Sequence, residues 1–316
     1  MKVYRFKVAA GSTTTRIDNF LKDNLSEAFS KSLIRKLILA GAVYVNKKRI
    51  KNAGYQILNG QTVELYYRQE TKSEKQKFQE FDIEQAILYH DKHVLIINKP
   101  AGLPTQPTLD DSRNNLIELL KKHLQKIQSI ENPYLGIHHR LDADTSGLLL
   151  FTTDKSANKS IAKQFQEREI KKKYLALCEY LQGHDTPPSL LNTNEEYHEK
   201  RPLSRIQRKV NKYAVDLSSK ENAHTILKTV KIKNNKYLIE AIPVTGRSHQ
   251  IRVHLSANAL PILGDRLYHP RRQNAVTRLM LHAMVLEFVH PISARNMSFS
   301  IPSIEIEKAF EDTIID

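Results

Sequence analysis

His139-Arg140-Leu141-Asp142-Ala143-Asp144-Thr145-Ser146-Gly147, followed by Leu148-Leu149-Leu150-Phe151, is the most informative stretch of this chain. A Thr-Ser-Gly turn leads directly into four apolar residues, a pattern typical of a loop followed by a buried strand. Arg140 and Asp142 stand two residues apart just before the turn, and such a loop can hold a carboxylate against a sheet. The same two residues are equally compatible with a structural ion pair, so the stretch alone leaves the role of Asp142 open.

The chain is strongly basic, with a formal net charge of +15 over 316 residues. Residues 1–68 hold 13 Lys and Arg against 4 Asp and Glu, so a net +9 of this excess lies in about a fifth of the chain. A basic surface attracts polyanions and raises the rate at which they are encountered. Nucleic acid is therefore the leading partner, and an acidic membrane surface is the second.

The cysteine content and the lack of long apolar runs limit where the protein works. Cys178 is the only cysteine, so no intrachain disulfide can form, and we expect a packed thiol in a reducing compartment. No secretory signal is visible at the start of the sequence. No stretch approaches the roughly 20 apolar residues of a membrane span. We expect a cytoplasmic protein with no membrane association.

The length predicts about two domains. Residues 69–80 are polar, charged and nearly free of apolar anchors, which is typical of a linker. We therefore predict a small basic domain at 1–68, a linker at 69–81 and a longer domain at 82–316.

The small domain is predicted to contain two helices and short strands. Ser30 is a candidate N-cap for the second helix, and Gly41 is a candidate left-handed residue at its end. Basic residues follow the polar side of this helix and the short strand after it: Lys31, Arg35, Lys36, Lys47, Lys48 and Arg49. One face could present both groups to phosphates, although a merely solvated basic face is also compatible with the pattern.

The longer domain contains several apolar strands that do not alternate regularly with helices. The patterns predict strands near 93–100, 148–153, 174–179 and 237–242, and a helix from Asp154 to about residue 168. This order favours an α+β fold with a mixed, largely antiparallel sheet.

Several common sites for cofactors and metals lack their signatures in this sequence. It contains no phosphate-binding glycine loop, no dinucleotide fingerprint and no cysteine-rich zinc spacing. His249 and His254 are five residues apart, which on a strand would place them on opposite faces. We therefore expect no metal site and no cofactor, so that protein groups alone carry the chemistry.

Polar residues concentrate beside apolar runs in three segments: residues 140–142, 173–174 and 245–255. Tyr174 could be a core residue with a hydrogen-bonded hydroxyl. Arg247 and Arg252 could be solvated or could bind phosphate only. Each segment by itself is compatible with such a structural role.

The order and spacing of these segments resemble the RluA-type RNA pseudouridine synthases. The motifs that carry the resemblance lie at residues 98–103, 139–147, 173–176, 246–255, 261–265 and 281–283. Residues 14–66 resemble an S4 RNA-binding domain, a small α+β module. Together the two resemblances cover about residues 14–302, and their motifs are long and mutually ordered.

The resemblance assigns a role to residues around the first stretch. It implies that Asp142 is the catalytic aspartate, that Tyr174 stacks on the target base and that Arg252 pairs with Asp142. It also implies that Arg140 contacts RNA and helps to fill the space left by a flipped base, and that Leu281 lines the uridine pocket.

Two further residues of the 246–255 motif, Arg247 and His249, are expected to contact RNA. The implied reaction breaks the bond from ribose C1′ to N1 of uracil and rejoins the sugar to C5, which requires no cofactor. The base must leave its stack before these atoms can be reached.

The resemblance therefore implies an isomerase that acts on structured RNA, with large-subunit ribosomal RNA as the expected substrate and a monomer as the expected state. A modifier of transfer-RNA uridines is the alternative within the same class. A non-catalytic RNA-binding factor for ribosome assembly is the alternative from a different class, because such a protein would keep the basic module without needing Asp142, Tyr174 and Arg252 together.

Overall fold

The computed structural model describes residues 2–9, 15–25, 29–67, 81–107, 115–182, 188–207, 211–271 and 276–312. The chain divides into two compact units, Met1–Ile83 with Leu103–Pro133, and Glu84–Gly102 with Tyr134–Asp316. Residues 69–80 of the expected linker fall outside the described ranges, so the boundaries 1–68, 69–81 and 82–316 stay a prediction.

The described strands are two to nine residues long. They are β1 Lys2–Lys7, β2 Thr15–Arg16, β3 Val43–Val45, β4 Lys48–Ile50, β5 Gln56–Ile57, β6 Thr62–Tyr67, β7 Ile87–His90, β8 Val94–Lys99, β9 Gly136–Ile137, β10 Ser146–Thr152, β11 Lys171–Glu179, β12 Glu196–Glu199, β13 Leu203–Gln207, β14 Lys212–Val215, β15 Thr225–Lys233, β16 Lys236–Pro243, β17 Leu281–Val289 and β18 Asn296–Ser300.

The helices lie between these strands without regular alternation. They are α1 Ile17–Asn24, α2 Lys31–Ala40, α3 Ile83–Ala86, α4 Leu116–Gln128, α5 Asn158–Gln166, α6 Pro188–Leu191, α7 Gln250–Ala257 and α8 Ile304–Glu311, with a 3₁₀ turn at Lys155–Ala157.

The first unit contains a four-stranded antiparallel sheet in the order β1-β6-β3-β4. The inner faces of α1 and α2 share an apolar core with this sheet, in which Ile17, Ile34 and Val43 are fully buried. The hydroxyl of Ser30 accepts the N–H of Leu33 at 3.2 Å, and Gly41 ends α2 in the left-handed conformation. Both predicted caps of this helix are confirmed.

The second unit contains a ten-stranded sheet in the order β12-β15-β16-β11-β17-β10-β8-β7, with β18 beside β17 and β9 beside β10. Its named pairs are antiparallel except β10 with β17, which is parallel. The predicted α+β class with a largely antiparallel sheet is confirmed.

Strand β10 lies between β8 and β17 in this sheet, and all seven of its residues are buried. Burial on both faces explains why its sequence is an uninterrupted apolar run rather than an alternating pattern. The loop of Asp142 immediately precedes β10, so the most buried strand of the unit sets the position of that loop.

Gly147, at the start of β10, adopts a φ of +116° and pairs with Ala283 of β17. A Cβ atom at this position would overlap the backbone nitrogen and carbonyl of Ala283. Only glycine combines this backbone conformation with so close an approach of two strands.

Gly147→Ala is therefore expected to lower the free energy of unfolding by roughly 2 to 5 kcal/mol, since it adds both backbone strain and steric overlap. Urea denaturation followed by circular dichroism measures this loss. Gly246→Ala is the matched control, because a Cβ at position 246 meets no heavy atom within 4 Å. Equal stabilities of the two variants would contradict the close approach of β10 to β17.

Candidate active site

Asp142 lies in the loop between β9 and β10, and its side chain is 23% exposed. A turn forms where the N–H of Thr145 donates to the backbone carbonyl of Asp142 at 3.1 Å. The carbonyl of the next residue, Ala143, accepts the N–H of Gly102 at 2.8 Å and the Nζ–H of Lys99 at 2.8 Å. The loop is thus attached on one side to the end of β8.

Arg252, on α7, contacts the carboxylate of Asp142. Its Nη1 donates to Oδ2 of Asp142 at 3.1 Å, while Nε and Nη2 each donate to one oxygen of Asp265 at 2.8 Å. The side chains of Arg252 and Asp265 are buried. Burial by itself would lower the pKa of Arg252, but the hydrogen bonds and charge of Asp265, and then of Asp142, outweigh burial and raise it.

Asp265 also accepts the backbone N–H groups of Leu267 and Tyr268, at 2.9 and 3.2 Å. The ring of Tyr268 lies beneath the guanidinium of Arg252, with 5.1 Å between the guanidinium carbon and the ring centroid. A planar guanidinium held in a fork and stacked on an aromatic ring has little freedom to rotate. One guanidinium N–H is therefore fixed in the direction of Asp142.

His249 precedes α7 and adopts the left-handed conformation, with φ of +55°. Its Nδ1 lies 2.8 Å from the hydroxyl of Tyr268, and that hydroxyl accepts the backbone N–H of Tyr213 at 2.9 Å. Its Nε2 lies 3.8 Å from Oδ2 of Asp142, beyond hydrogen-bond distance. Burial lowers the pKa of His249, and the charge of Asp142 only partly opposes this. A neutral imidazole therefore faces the carboxylate.

The segment that contains His249 and His254 is a helix rather than a strand. Thr245 and Gln250 close its first turn, since Oε1 of Gln250 accepts the Thr245 hydroxyl at 2.6 Å and the N–H of Arg247 at 3.0 Å. His254 turns into the interior, where its Nδ1 lies 2.8 Å from the hydroxyl of Thr225. The two histidines are thus separated by helix geometry, and only His249 lies beside Asp142.

Tyr174 is buried in β11, where it pairs with Ala283 of β17. Burial, followed by the negative charge of Asp142, raises the pKa of its hydroxyl, which keeps the phenol protonated. Leu281 pairs with Ala176, two residues further along β11. Since side chains two residues apart share a face of a strand, Leu281 lies on the same face as Tyr174.

Lys99, at the end of β8, is completely buried. Its Nζ donates to the backbone carbonyls of Pro100 and Ala143, at 2.9 and 2.8 Å. Burial lowers the pKa of Lys99 to about 7, although the nearby charge of Asp142 acts in the opposite direction. Neither Lys99, Asp265 nor Tyr268 was identified as a site residue from sequence, even though Lys99 and Asp265 lie within quoted motifs.

Arg140 and Arg247 are exposed near the loop. Nη2 of Arg140 donates to the hydroxyl of Ser248 at 3.1 Å, and Nε of Arg247 donates to the carbonyl of Asn222 at 3.1 Å. The structure therefore places Arg252, His249 and Arg140 around the loop that carries Asp142. Their roles in binding or catalysis stay a prediction.

The six basic residues selected in the first unit divide into two groups. Arg35 forms an ion pair with Asp18 at 2.9 Å, Lys36 pairs with Glu118, and Arg49 lies over the ring of Tyr44 and donates to its hydroxyl. Lys31, Lys47 and Lys48 are exposed, as are Arg35 and Arg49 of the paired group.

The described part of the chain contains no group of three or more His, Cys, Asp or Glu side chains arranged to hold a metal ion. Within the same residues, no helix has the length and apolar character needed to cross a bilayer. Cys178 is buried, and burial raises the pKa of its thiol.

Two family models match this sequence. The model for RNA pseudouridylate synthases matches residues 93–257, which include Asp142, Tyr174 and Arg252. The model for the S4 domain matches residues 15–63.

Relatives of known name match nearly the whole chain. Ribosomal large subunit pseudouridine synthase C of Vibrio cholerae is 32% identical over 301 residues, which cover 91% of this chain and 89% of the relative. An uncharacterized RNA pseudouridine synthase of Aquifex aeolicus is 30% identical over 322 residues, covering 98% and 96%. Among solved structures, human RNA Pseudouridylate Synthase Domain Containing 4 shares the fold, with a TM-score of 0.57 at 22% identity over 72% of this chain and 93% of that chain.

Asp265→Asn is expected to lower the free energy of unfolding by about 3 to 5 kcal/mol, because it leaves the buried guanidinium of Arg252 without its main counter-charge. Chemical denaturation measures the loss. Glu305→Gln is the matched control: Glu305 pairs with Arg278 at 2.6 Å, but its side chain is 56% exposed, so a loss below about 1 kcal/mol is expected. Similar losses in both variants would mean that the Asp265 contact is not the stronger one.

The lowered pKa of buried Lys99 predicts that the free energy of unfolding depends on pH. Its pKa is about 7 in the folded chain against an ordinary value of 10.5, so between these values the unfolded chain binds a proton that the folded chain lacks. The free energy of unfolding therefore rises with pH across this window, by up to about 1.4 kcal/mol per pH unit.

Urea denaturation at about pH 7.5 and about pH 8.5 tests this dependence, and Lys99→Met is expected to show a smaller rise than the wild type. The comparison of slopes removes the contribution of all other titrating groups. A rise of the same size in both proteins would assign it to groups other than Lys99.

Proposed function

We propose that this chain, which belongs to the RNA pseudouridylate synthase family, isomerises specific uridines of large-subunit ribosomal RNA. Membership makes the chain an isomerase that acts on RNA and forms pseudouridine. The proposal concerns the substrate and the residues that carry the reaction.

The proposed substrate is supported by several relatives named ribosomal large subunit pseudouridine synthase C, which are 30 to 32% identical over nine-tenths or more of this chain. The S4 domain and its surplus of basic residues agree with a structured, highly charged substrate. Exposed Lys31, Lys47 and Lys48 are the proposed phosphate contacts of this domain. Arg35, Lys36 and Arg49 would have to exchange their present partners for phosphate.

Asp142 is the proposed catalytic residue. The observation that carries this assignment is its contact with Arg252, whose guanidinium is fixed by Asp265 and therefore holds one carboxylate oxygen in a constant direction. The carboxylate can then approach the sugar or the base of a uridine. The C1′–N1 bond breaks and the C1′–C5 bond forms, while C5 loses its proton and N1 gains one, so the reaction involves no net oxidation. An oriented carboxylate with preorganised polar partners can assist these steps as nucleophile or base.

Tyr174 and Leu281 are the proposed walls of the uridine pocket. A base that has left its stack loses a few kcal/mol of stacking and pairing, and contact with an aromatic ring can return about 1 to 3 kcal/mol. Both side chains lie on one face of adjacent strands, and the phenol of Tyr174 stays protonated. Arg140 and Arg247, which are exposed beside the loop, are proposed to contact the flanking RNA.

Asp142→Asn is expected to reduce pseudouridine formation by at least about 10³-fold, because the amide has lost the charge and the nucleophilic or basic oxygen. RNA affinity is expected to stay within about twofold, since the side chain keeps its size and the phosphate contacts remain. The measurement is a pseudouridine map of protein-free large-subunit RNA incubated with each purified protein, together with a filter-binding curve.

The neighbouring exposed carboxylate gives the control, since Asp144→Asn removes the same charge from the same loop and is expected to keep full activity. Activity in the Asp142 variant would remove that residue from its proposed role. Pseudouridine formation by the wild type in transfer RNA but not in large-subunit RNA would overturn the proposed substrate.

A further inference from the structure

Two histidines form a contact pair at one edge of the ten-stranded sheet. Nδ1 of His198, on the edge strand β12, lies 3.1 Å from Nε2 of His224, which immediately precedes β15. One imidazole donates to the other, so a neutral pair leaves one donor and one acceptor among its two outer nitrogens. Those outer nitrogens, Nε2 of His198 and Nδ1 of His224, have no hydrogen-bond partner among the residues that the structure describes.

Two cationic side chains, Lys200 and Arg168, act electrostatically on His224 of this pair. Burial is the largest influence that lowers the pKa of His224, followed by His198, Lys200 and Arg168. Lys200 and Arg168 are both exposed, and neither forms an ion pair with a carboxylate in the described part of the chain.

Glu199 is the carboxylate closest in sequence to the pair, and it already has hydrogen-bond partners. Glu199 is buried, and its carboxylate accepts hydrogen bonds from Arg201 and from the side-chain amide of Asn258. Arg247, on the neighbouring turn, directs its Nε to the carbonyl of Asn222. The charged side chains that act on His224 are those of Lys200 and Arg168. Exposed carboxylates are near them in sequence: Glu196 is two residues before His198 on β12, and Glu167 and Glu169 flank Arg168.

Hydrogen bonds connect the pair to the turn that carries the candidate active site. The N–H of His224 donates to the Thr245 hydroxyl at 2.9 Å, and its carbonyl accepts Nε2 of Gln250 at 2.9 Å. Gln250 is the first residue of α7, two positions before Arg252, and its Oε1 accepts the N–H of Arg247. An anion bound at the histidine pair would thus be held at a fixed position relative to Arg247 and Arg252.

We propose that His198, His224, Lys200 and Arg168 form a binding site for a backbone phosphate of the RNA, on a nucleotide flanking the target uridine. This inference rests on the proposed function, since it presumes an RNA substrate. Phosphate accepts hydrogen bonds from imidazole, ammonium and guanidinium groups, and such contacts set the register of an RNA strand without reading its sequence.

Binding at this site takes up a proton. One added proton turns both outer nitrogens of the histidine pair into donors, whichever imidazole donates within the pair. A bound phosphate brings negative charge close to His224, and it therefore raises the pKa of His224 back from its lowered value. RNA should consequently bind more tightly as pH falls.

The experiment measures RNA affinity in full-length protein that also carries Asp142→Asn, so that no product forms during the assay. The probe is a protein-free transcript of large-subunit ribosomal RNA. Lys200→Gln and Arg168→Gln are each expected to reduce the slope of log K against log[salt] by about 0.7 to 0.9, the value for one phosphate contact. Lys159→Gln is the matched control, because Lys159 is an exposed lysine on α5 of the same unit.

The pH arm uses the double variant His198→Gln with His224→Gln. Wild-type affinity is expected to weaken between about pH 6 and about pH 8, by up to about tenfold per pH unit for one linked proton, and the double variant is expected to lose most of this dependence. His123→Gln is the control for loss of a histidine elsewhere in the chain.

A third arm separates RNA phosphate from free phosphate. The imidazole carbon signals of His198 and His224 in ¹³C-histidine-labelled protein are expected to shift on addition of RNA and to stay unshifted in Lys200→Gln. Shifts produced by inorganic phosphate but not by RNA would identify a site for free anions and overturn the proposal.

Two outcomes distinguish this inference from the proposed function. If the wild type forms pseudouridine in this RNA while the cluster variants bind it as Lys159→Gln does, the phosphate site is wrong and the proposed function stands. If the wild type does not bind large-subunit RNA at all, both are overturned.

Discussion

The bidentate contact between Arg252 and Asp265 is the interaction on which the candidate active site depends. Both side chains are buried, and a buried charge is tolerated only when a partner of opposite charge and further hydrogen bonds replace its water. Asp265 accepts two guanidinium N–H groups, from Nε and Nη2 of Arg252, and two backbone N–H groups at once. The Nη1–H of Arg252 that donates to Asp142 is therefore positioned by Asp265, which pairs with Arg252 rather than with Asp142.

The sheet supplies the other half of this constraint. Strand β10 is buried along its whole length, and Gly147 lets it approach β17 closely, so the preceding loop has little room to move. Lys99 attaches the same loop to the end of β8 through the carbonyl of Ala143. Burial lowers the pKa of this amine to about 7, so the two backbone carbonyls that it contacts do not fully offset the desolvation of its charge.

Positive charge in this protein is of two kinds. Arg252 is buried and paired, whereas Lys31, Lys47, Lys48, Lys200 and Arg168 are exposed. In the proposed function, exposed cations bring the RNA backbone to the protein and set its register, and the buried arginine orients the carboxylate that meets the uridine. These two roles differ because only an exposed cation can exchange its bound water for a phosphate at a small cost in free energy.

The sequence by itself determined the local features and the class of the protein. Short-range sequence patterns predict the caps at Ser30 and Gly41 and the buried strand β10. The order of the predicted elements also indicates the largely antiparallel sheet. Its ordered motifs also indicated the family, and through it Asp142 with Arg252. Tertiary structure alone decided that Asp265 and Tyr268 hold Arg252, that Lys99 is buried beneath the loop, and that His249 begins a helix in a left-handed conformation. These contacts join residues that are distant in the chain or need an unusual backbone angle, and they arise only from strand order, pairing register and the exclusion of water.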